Sequence, residues 1–237
     1  MNKRKLGTIL LSLLGLISLT VLFCLEPIIQ NEDYHNFSDR ETILGIPHFW
    51  NAISNLPFLI AGLYGILKFK HLKKINQQFI IFFLGITLVS LGSGYYHLCP
   101  NSSTLIWDRL PMTVAFTGLM SIMISQFINN SAGEKLLIPL ISVGLLSILF
   151  WVKYNDLRPY VFVQFYPLIA IPILLILFKK PNQNTNGYWL LLAAYILAKL
   201  FETFDYEIHE TLHFISGHSL KHIAAGLGVF LWIKSES

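Results

Sequence analysis

Apolar runs of bilayer length recur along most of the chain, separated by short polar stretches. A helix needs about 20 mostly apolar residues to cross the hydrocarbon core. Eight stretches approach that length: Leu6–Leu25, His48–Leu67, Phe79–His97, Asp108–Ile128, Lys135–Trp151, Tyr160–Phe178, Tyr188–Phe204 and Gly217–Ile233. Backbone polar groups in hydrocarbon must be satisfied within their own element, so each run predicts an α-helix. The alternation of an outer-membrane barrel strand does not appear. The second, third and last runs are the least apolar, because polar side chains interrupt them. There is no internal repeat and no low-complexity segment.

Composition sharpens this into an integral membrane protein. Of 237 residues, 54% are hydrophobic and 13% charged, against about 25% charged in a soluble domain. Too few polar residues remain to cover a water-facing surface. The net charge of +4 resides in short Lys/Arg clusters and forms no basic stripe, which excludes a nucleic-acid partner. Cys24 and Cys99 do not make a disulfide framework.

The clusters orient the spans. Lys3, Arg4 and Lys5 precede the first run; Lys68, Lys70, Lys73 and Lys74 follow the second; Lys179 and Lys180 follow the sixth; Lys234 lies in the carboxyl tail. Apart from Lys153 and Arg158, the loops between are acidic or nearly neutral. The positive-inside rule then places both termini in the cytoplasm. The first run, residues 1–30 with its flanks, reads as an uncleaved span or signal anchor, since no small-x-small cleavage site precedes Glu26. Residues 31–47 form a polar extracytoplasmic loop.

Ionisable residues inside spans are costly and mark function. Ser93 and His97 are four apart at the outer end of the third run, so they share a helix face. Asp108 follows after a short loop, at the outer end of the fourth. His218 and His222, again four apart, open the last run. By loop charge and spacing these groups share one depth. Three imidazoles at one level suit a zinc ion and leave a fourth position open. Asp108 is placed to move a proton and Ser93 to hydrogen-bond an oxyanion. Lys199, Glu202 and Asp205, three apart on the seventh run, read as a pairing cluster supporting the metal ligands. Asn51 and Asn55 read as helix-to-helix bonds. A competing signal is His209-Glu210-Thr211-Leu212-His213, the His-Glu-x-x-His pattern of metalloproteases.

With these residues in view, the chain resembles the alkaline ceramidase family, within a superfamily of seven-span membrane hydrolases that includes the adiponectin receptors. The resemblance rests on Phe49-Trp50-Asn51-Ala52-Ile53-Ser54-Asn55, on Gly92-Ser93 with His97, on Asp108-Arg109-Leu110-Pro111-Met112, and on His218-Ser219-Leu220-Lys221-His222. It implies an all-α fold with a seven-helix membrane domain over 48–237 and Leu6–Leu25 as an additional leading span. It implies zinc on His97, His218 and His222, with Asp108 and Ser93 assisting hydrolysis of a ceramide-like lipid amide. Ala198-Lys199, Glu202, Asp205 and Ser216-Gly217-His218 look like the bacterial branch, which implies an inner-membrane protein; loop charge and spacing put the site toward the outer leaflet, and no obligate protein partner is expected. Animal members also bind calcium before the first core helix. Glu32, Asp33, Asn36 and Asp39 are the corresponding candidates, but His48 stands where an acidic ligand is expected, which argues against calcium. Three other readings stay open: a receptor or sensor stapled by zinc, a haem carrier using two facing histidines, and an intramembrane His-Glu-x-x-His protease.

Overall fold

The computed structural model describes residues 3–70 and 77–236; Lys73 and Lys74, used above to orient the chain, lie outside them. Ten α-helices follow in order: α1 (Lys3–Cys24), α2 (Phe49–Ile53), α3 (Leu56–Lys70), α4 (Gln77–Leu98), α5 (Ser102–Met123), α6 (Asn130–Tyr154), α7 (Arg158–Leu177), α8 (Asn186–Thr203), α9 (Asp205–Leu212) and α10 (Gly217–Ser235). A 3-10 turn, Glu32–His35, precedes α2, and a π-helical turn, Ile124–Ile128, extends α5. No strand occurs among the described residues. Six helical stretches, with α2 and α3 counted together, are long and apolar enough to cross a membrane, and the bent pair α8–α9 makes a seventh. The protein is an all-α integral membrane protein.

Several boundaries differ from the apolar runs for local reasons. α5 begins at Ser102, six residues before Asp108, because Asn101 caps it: its Oδ1 accepts the amides of Ser103 at 2.9 Å and Thr104 at 3.0 Å. Asp108 therefore lies in the second turn and does not open the helix. Asn129 caps α6 in the same way, accepting the amide of Ala132 at 3.1 Å. The expected turn after the seventh run is instead mostly helical, since α9 follows α8 across a bend of 78° at Phe204. The last run forms α10, but its polar first turns, with His218, Lys221 and His222, leave it outside the helices apolar enough to span by composition.

The chain divides into two compact units. One comprises Met1–Gln30, Lys74–Phe82 and Met112–Gln183. In it, α1 packs on α7, and Tyr166 Oη donates to the Leu11 carbonyl at 2.9 Å. The chain leaving α1 is tied to the α6–α7 junction. Arg158 Nη1 donates to the Leu25 carbonyl at 2.7 Å, its guanidinium lies over the Phe23 ring, and the Leu157 amide donates to the Ile28 carbonyl at 2.8 Å. Asp156 holds Arg158 through an ion pair at 2.7 Å. A buried network near the other end of these helices, where Gln78 Nε2 donates to Ser121 Oγ and Ser125 Oγ donates to Gln78 Oε1 at 3.0 Å, joins α4 to α5 and its π-turn.

Asp156 gives this junction a pH dependence. Burial raises its pKa, but the Arg158 side chain and amide outweigh that and hold the carboxyl below its ordinary value. A depressed folded-state pKa adds stability above the unfolded pKa, and that stability is lost as pH falls through the folded pKa. Thermal unfolding in detergent is expected to drop on acidification below the ordinary aspartate range, and Asp156→Asn is expected to flatten that drop while lowering the neutral-pH midpoint. An unchanged acid limb in the variant would contradict this account.

The second unit comprises Asn31–Lys73, Phe83–Pro111 and Asn184–Ser237. Here α10 packs along α8 and against α3. Two glycines permit approaches that no side chain would tolerate. A Cβ on Gly92 would lie 2.0 Å from the Trp107 carbonyl oxygen, so α4 and α5 pass in backbone contact beside Ser93 and Asp108. A Cβ on Gly217 would lie 2.3 Å from the Phe201 carbonyl oxygen, so the first turn of α10 sits directly on the α8–α9 bend.

Candidate metal centre

His97 lies in the last turn of α4, and His218 and His222 lie in the first two turns of α10. The start of α10 is fixed twice. Ser216 Oγ accepts the Ser219 amide at 3.0 Å, and Asp205 Oδ1 accepts the His218 amide at 2.6 Å. One ring nitrogen from each of His97, His218 and His222 lies within 4.8 Å of the others, and all three residues are buried. Among the described residues this is the one group of three or more histidine, cysteine, aspartate or glutamate side chains so placed. The ring centroids are 4.9 to 5.1 Å apart. The three histidines are thus placed to bind a metal ion.

The hydrogen bonding of His97 and His222 fits that role. Both ring nitrogens of His97 are buried without a partner. A buried polar atom left unpaired is costly, and a cation on the free lone pair would satisfy one of them. His222 Nδ1 is 2.9 Å from Ser54 Oγ, whose hydroxyl hydrogen goes to the Asn51 carbonyl at 3.1 Å. Ser54 therefore accepts from Nδ1–H, and the lone pair of His222 stays on Nε2. A ring nitrogen bonded this way orients the opposite nitrogen for a metal. His218 differs: Lys221 Nζ lies 2.8 Å from its Nε2 and 3.0 Å from Glu202 Oε1, so the lysine engages the Nε2 lone pair, and a metal on this imidazole requires that lysine to withdraw or the other nitrogen to give up its proton. Ser54→Ala is expected to weaken metal binding about 10- to 100-fold, measured by competition with a chromophoric chelator. An unaltered affinity would mean that the hydroxyl does not set the tautomer.

One turn before His97 on α4, Ser93 is a neighbour of the Asp108 side chain on α5. Ser93 is fully buried, while Asp108 is partly open. Glu202 is bracketed by Lys199 and Lys221 and also accepts from Tyr34 Oη at 3.3 Å. Through Lys221 this cluster reaches His218, and Asp205 reaches the same residue through its backbone. Asn51 joins helices, with Oδ1 accepting from Ser216 Oγ at 2.9 Å and Ser219 Oγ at 2.7 Å. Asn55 instead donates to the Asn51 carbonyl of its own segment and accepts Ser90 Oγ at its backbone carbonyl.

The calcium candidates have other employment. Asp39 is buried and accepts the amides of Glu41 at 3.2 Å and Asn51 at 2.9 Å. Glu32 pairs with His35 and accepts from Ser102. Asn36 bonds Asp33. They do not converge as a group of metal donors. In the His-Glu-x-x-His segment, α9 ends at Leu212 and His213 turns left-handed with φ 66°, so the two histidines are not presented together on a continuing helix. Neither belongs to the three-imidazole group.

Sequence reasoning missed Ser54, Lys221 and Phe37 as neighbours of the imidazoles. The Phe37 ring lies edge-on to His97, with centroids 4.7 Å apart, and to His218 at 4.4 Å. Serine, lysine and phenylalanine carry no metal signature. Ser54 does stand in the Phe-Trp-Asn-x-x-Ser-Asn element, which was the available pointer.

The chain is thus an all-helical membrane protein with a buried cluster of three histidines placed to bind a metal ion. The chain matches the Ceramidase family over residues 42–236 and belongs to that family. It is similar to alkaline ceramidase 3 of Mus musculus, 29% identical over 69 residues, which is 29% of this chain and 26% of that protein. It is also similar to a Dictyostelium discoideum protein whose name places it among the alkaline ceramidases, 24% identical over 222 residues, covering 73% of this chain and 77% of that protein.

Proposed function

We propose that the protein is a zinc-dependent hydrolase that cleaves a ceramide-like lipid amide within the membrane, giving a long-chain amine base and a fatty acid. The observation that carries this reading is the buried histidine triad, with both His97 nitrogens unpartnered, beside the Ser93–Asp108 pair. His97, His218 and His222 would hold the ion; nitrogen donors of this kind suit zinc. Bound there, zinc supplies Lewis acidity toward an amide carbonyl and toward water.

The chain's own groups move the protons. Water adds to the amide carbon; Asp108 accepts its proton and delivers it to the leaving nitrogen as the C–N bond breaks. Ser93 can turn its hydroxyl to the oxyanion. Glu202, Lys199 and Asp205 hold His218 from behind. A lipid substrate reaches such a site sideways from the bilayer. The loop charges and the residues of the closing segment support an inner-membrane protein of the bacterial branch, with both termini in the cytoplasm and the site toward the outer leaflet. The domain division at residues 30 and 47 belongs to the same reading.

The test is metal analysis of purified protein together with turnover of a fluorescent ceramide. The proposal expects one zinc per chain and turnover abolished by chelation and restored by zinc. A zinc-free protein, or turnover indifferent to chelators, would remove it.

A further inference from the structure

The polar stretch between α1 and α2 carries one buried aromatic side chain. Phe37 is 4% exposed, and its ring lies against His97, His218, Tyr96 and His48. His97 closes α4 and His218 opens α10, so Phe37 caps the triad at the loop end of these helices. Nothing in the local sequence predicts such burial, because Phe37 is flanked by Asn36 and Ser38.

The segment around it is pinned on both sides. Ser102 Oγ donates to Glu32 at 2.9 Å, so it accepts from His35 Nε2–H at 3.2 Å. His35 Nδ1 then accepts from Tyr96 Oη at 2.7 Å. Tyr34 reaches Glu202 and lies under the Arg109 guanidinium. On the other side of Phe37, the Ser38 amide donates to Asp205 Oδ2 at 3.0 Å. These bonds anchor the segment to α4, α5, α8 and α9, with the one large apolar side chain driven inward between the anchors.

We propose that Phe37 is a positioning and specificity-determining residue, a stopper on the loop side of the histidine triad. It holds the rings of His97 and His218 in register and denies bulk water and water-soluble amides that route. The substrate class that remains is amides whose acyl chain lies in the bilayer and arrives between helices. An apolar shell around a metal site controls solvent access to it. The proposal rests on the hydrolase reading above for its substrate arm, but its access arm stands without it.

The test compares wild type, Phe37→Ala and Phe37→Leu in detergent. In Phe37→Ala, extraction of zinc by a water-soluble chelator is expected to be about tenfold faster. The ratio of turnover on a short-chain soluble amide to turnover on a long-chain ceramide is expected to rise. Phe37→Leu refills most of the volume and is expected to move both readouts back toward wild type, which a merely structural role would not do. Unchanged extraction and an unchanged ratio in folded Phe37→Ala would overturn the proposal. If that variant does not fold, Phe37→Val carries the same expectations and the same refutation. Should the wild type bind no zinc and hydrolyse no amide, the hydrolase reading fails alone. The stopper is then decided by carbethoxylation of His97 with diethyl pyrocarbonate, read by mass spectrometry. Faster labelling in the variant supports it, and equal labelling overturns it.

Discussion

Replacing His97 with alanine is expected to empty the candidate centre of metal and to lower ceramide turnover by at least about a hundredfold. Loss of a residue that merely orients a ligand typically costs 10- to 100-fold, and loss of a ligand itself should cost no less. The residue is fully buried, with its ring against Phe37, Tyr96, His218 and His222. Truncation therefore removes one of three nitrogens without bringing in a substitute. Folding is checked by thermal unfolding and metal by elemental analysis. The matched control is Glu210→Gln. Glu210 is exposed on α9 and would be the general base if the His-Glu-x-x-His segment were the active site. It is expected to leave zinc content and turnover at wild-type levels. Full activity in His97→Ala would end the reading developed here, and loss of activity in Glu210→Gln would revive the protease.

Asp108→Asn separates chemistry from metal binding. The side chain keeps its shape, and Asp108 is not one of the three gathered histidines. Zinc content should therefore persist while turnover falls by about 10²- to 10⁴-fold, the usual contribution of a positioned acid or base. The same variant discriminates a receptor or sensor stapled by zinc, which would bind lipid without forming product in either protein. Wild-type turnover in Asp108→Asn would leave the proton transfers to another group.

The membrane character and the triad were legible before the structure for different reasons. Hydrocarbon imposes its requirement on every residue of a span, so the runs announce themselves over about 20 positions. The histidines were found because a charge-alternating topology assigns depth and four-residue spacing assigns a face. Helix starts were less legible, because they are decided by single polar caps: Asn101 sets the start of α5 six residues before Asp108, which no apolar window registers. The bend after Thr203 escaped for a similar reason. α9 is a short, largely polar helix that contributes little to hydropathy, yet Asp205 at its start caps α10. The surroundings of the imidazoles were least legible. Ser54 and Phe37 reach the site from segments far from it in sequence, and their residue types are common in any membrane protein.

Asp205 carries a further implication for anyone who would rebuild this protein. One of its oxygens receives the amide of His218 and the other the amide of Ser38. The helix that carries His218 and His222 and the segment leading into the bundle are thereby referenced to a single carboxylate. Lengthening that side chain by one carbon would shift both attachments together, so a graft of the leader from a relative must present a backbone amide to this same carboxylate or forfeit the alignment of the histidines.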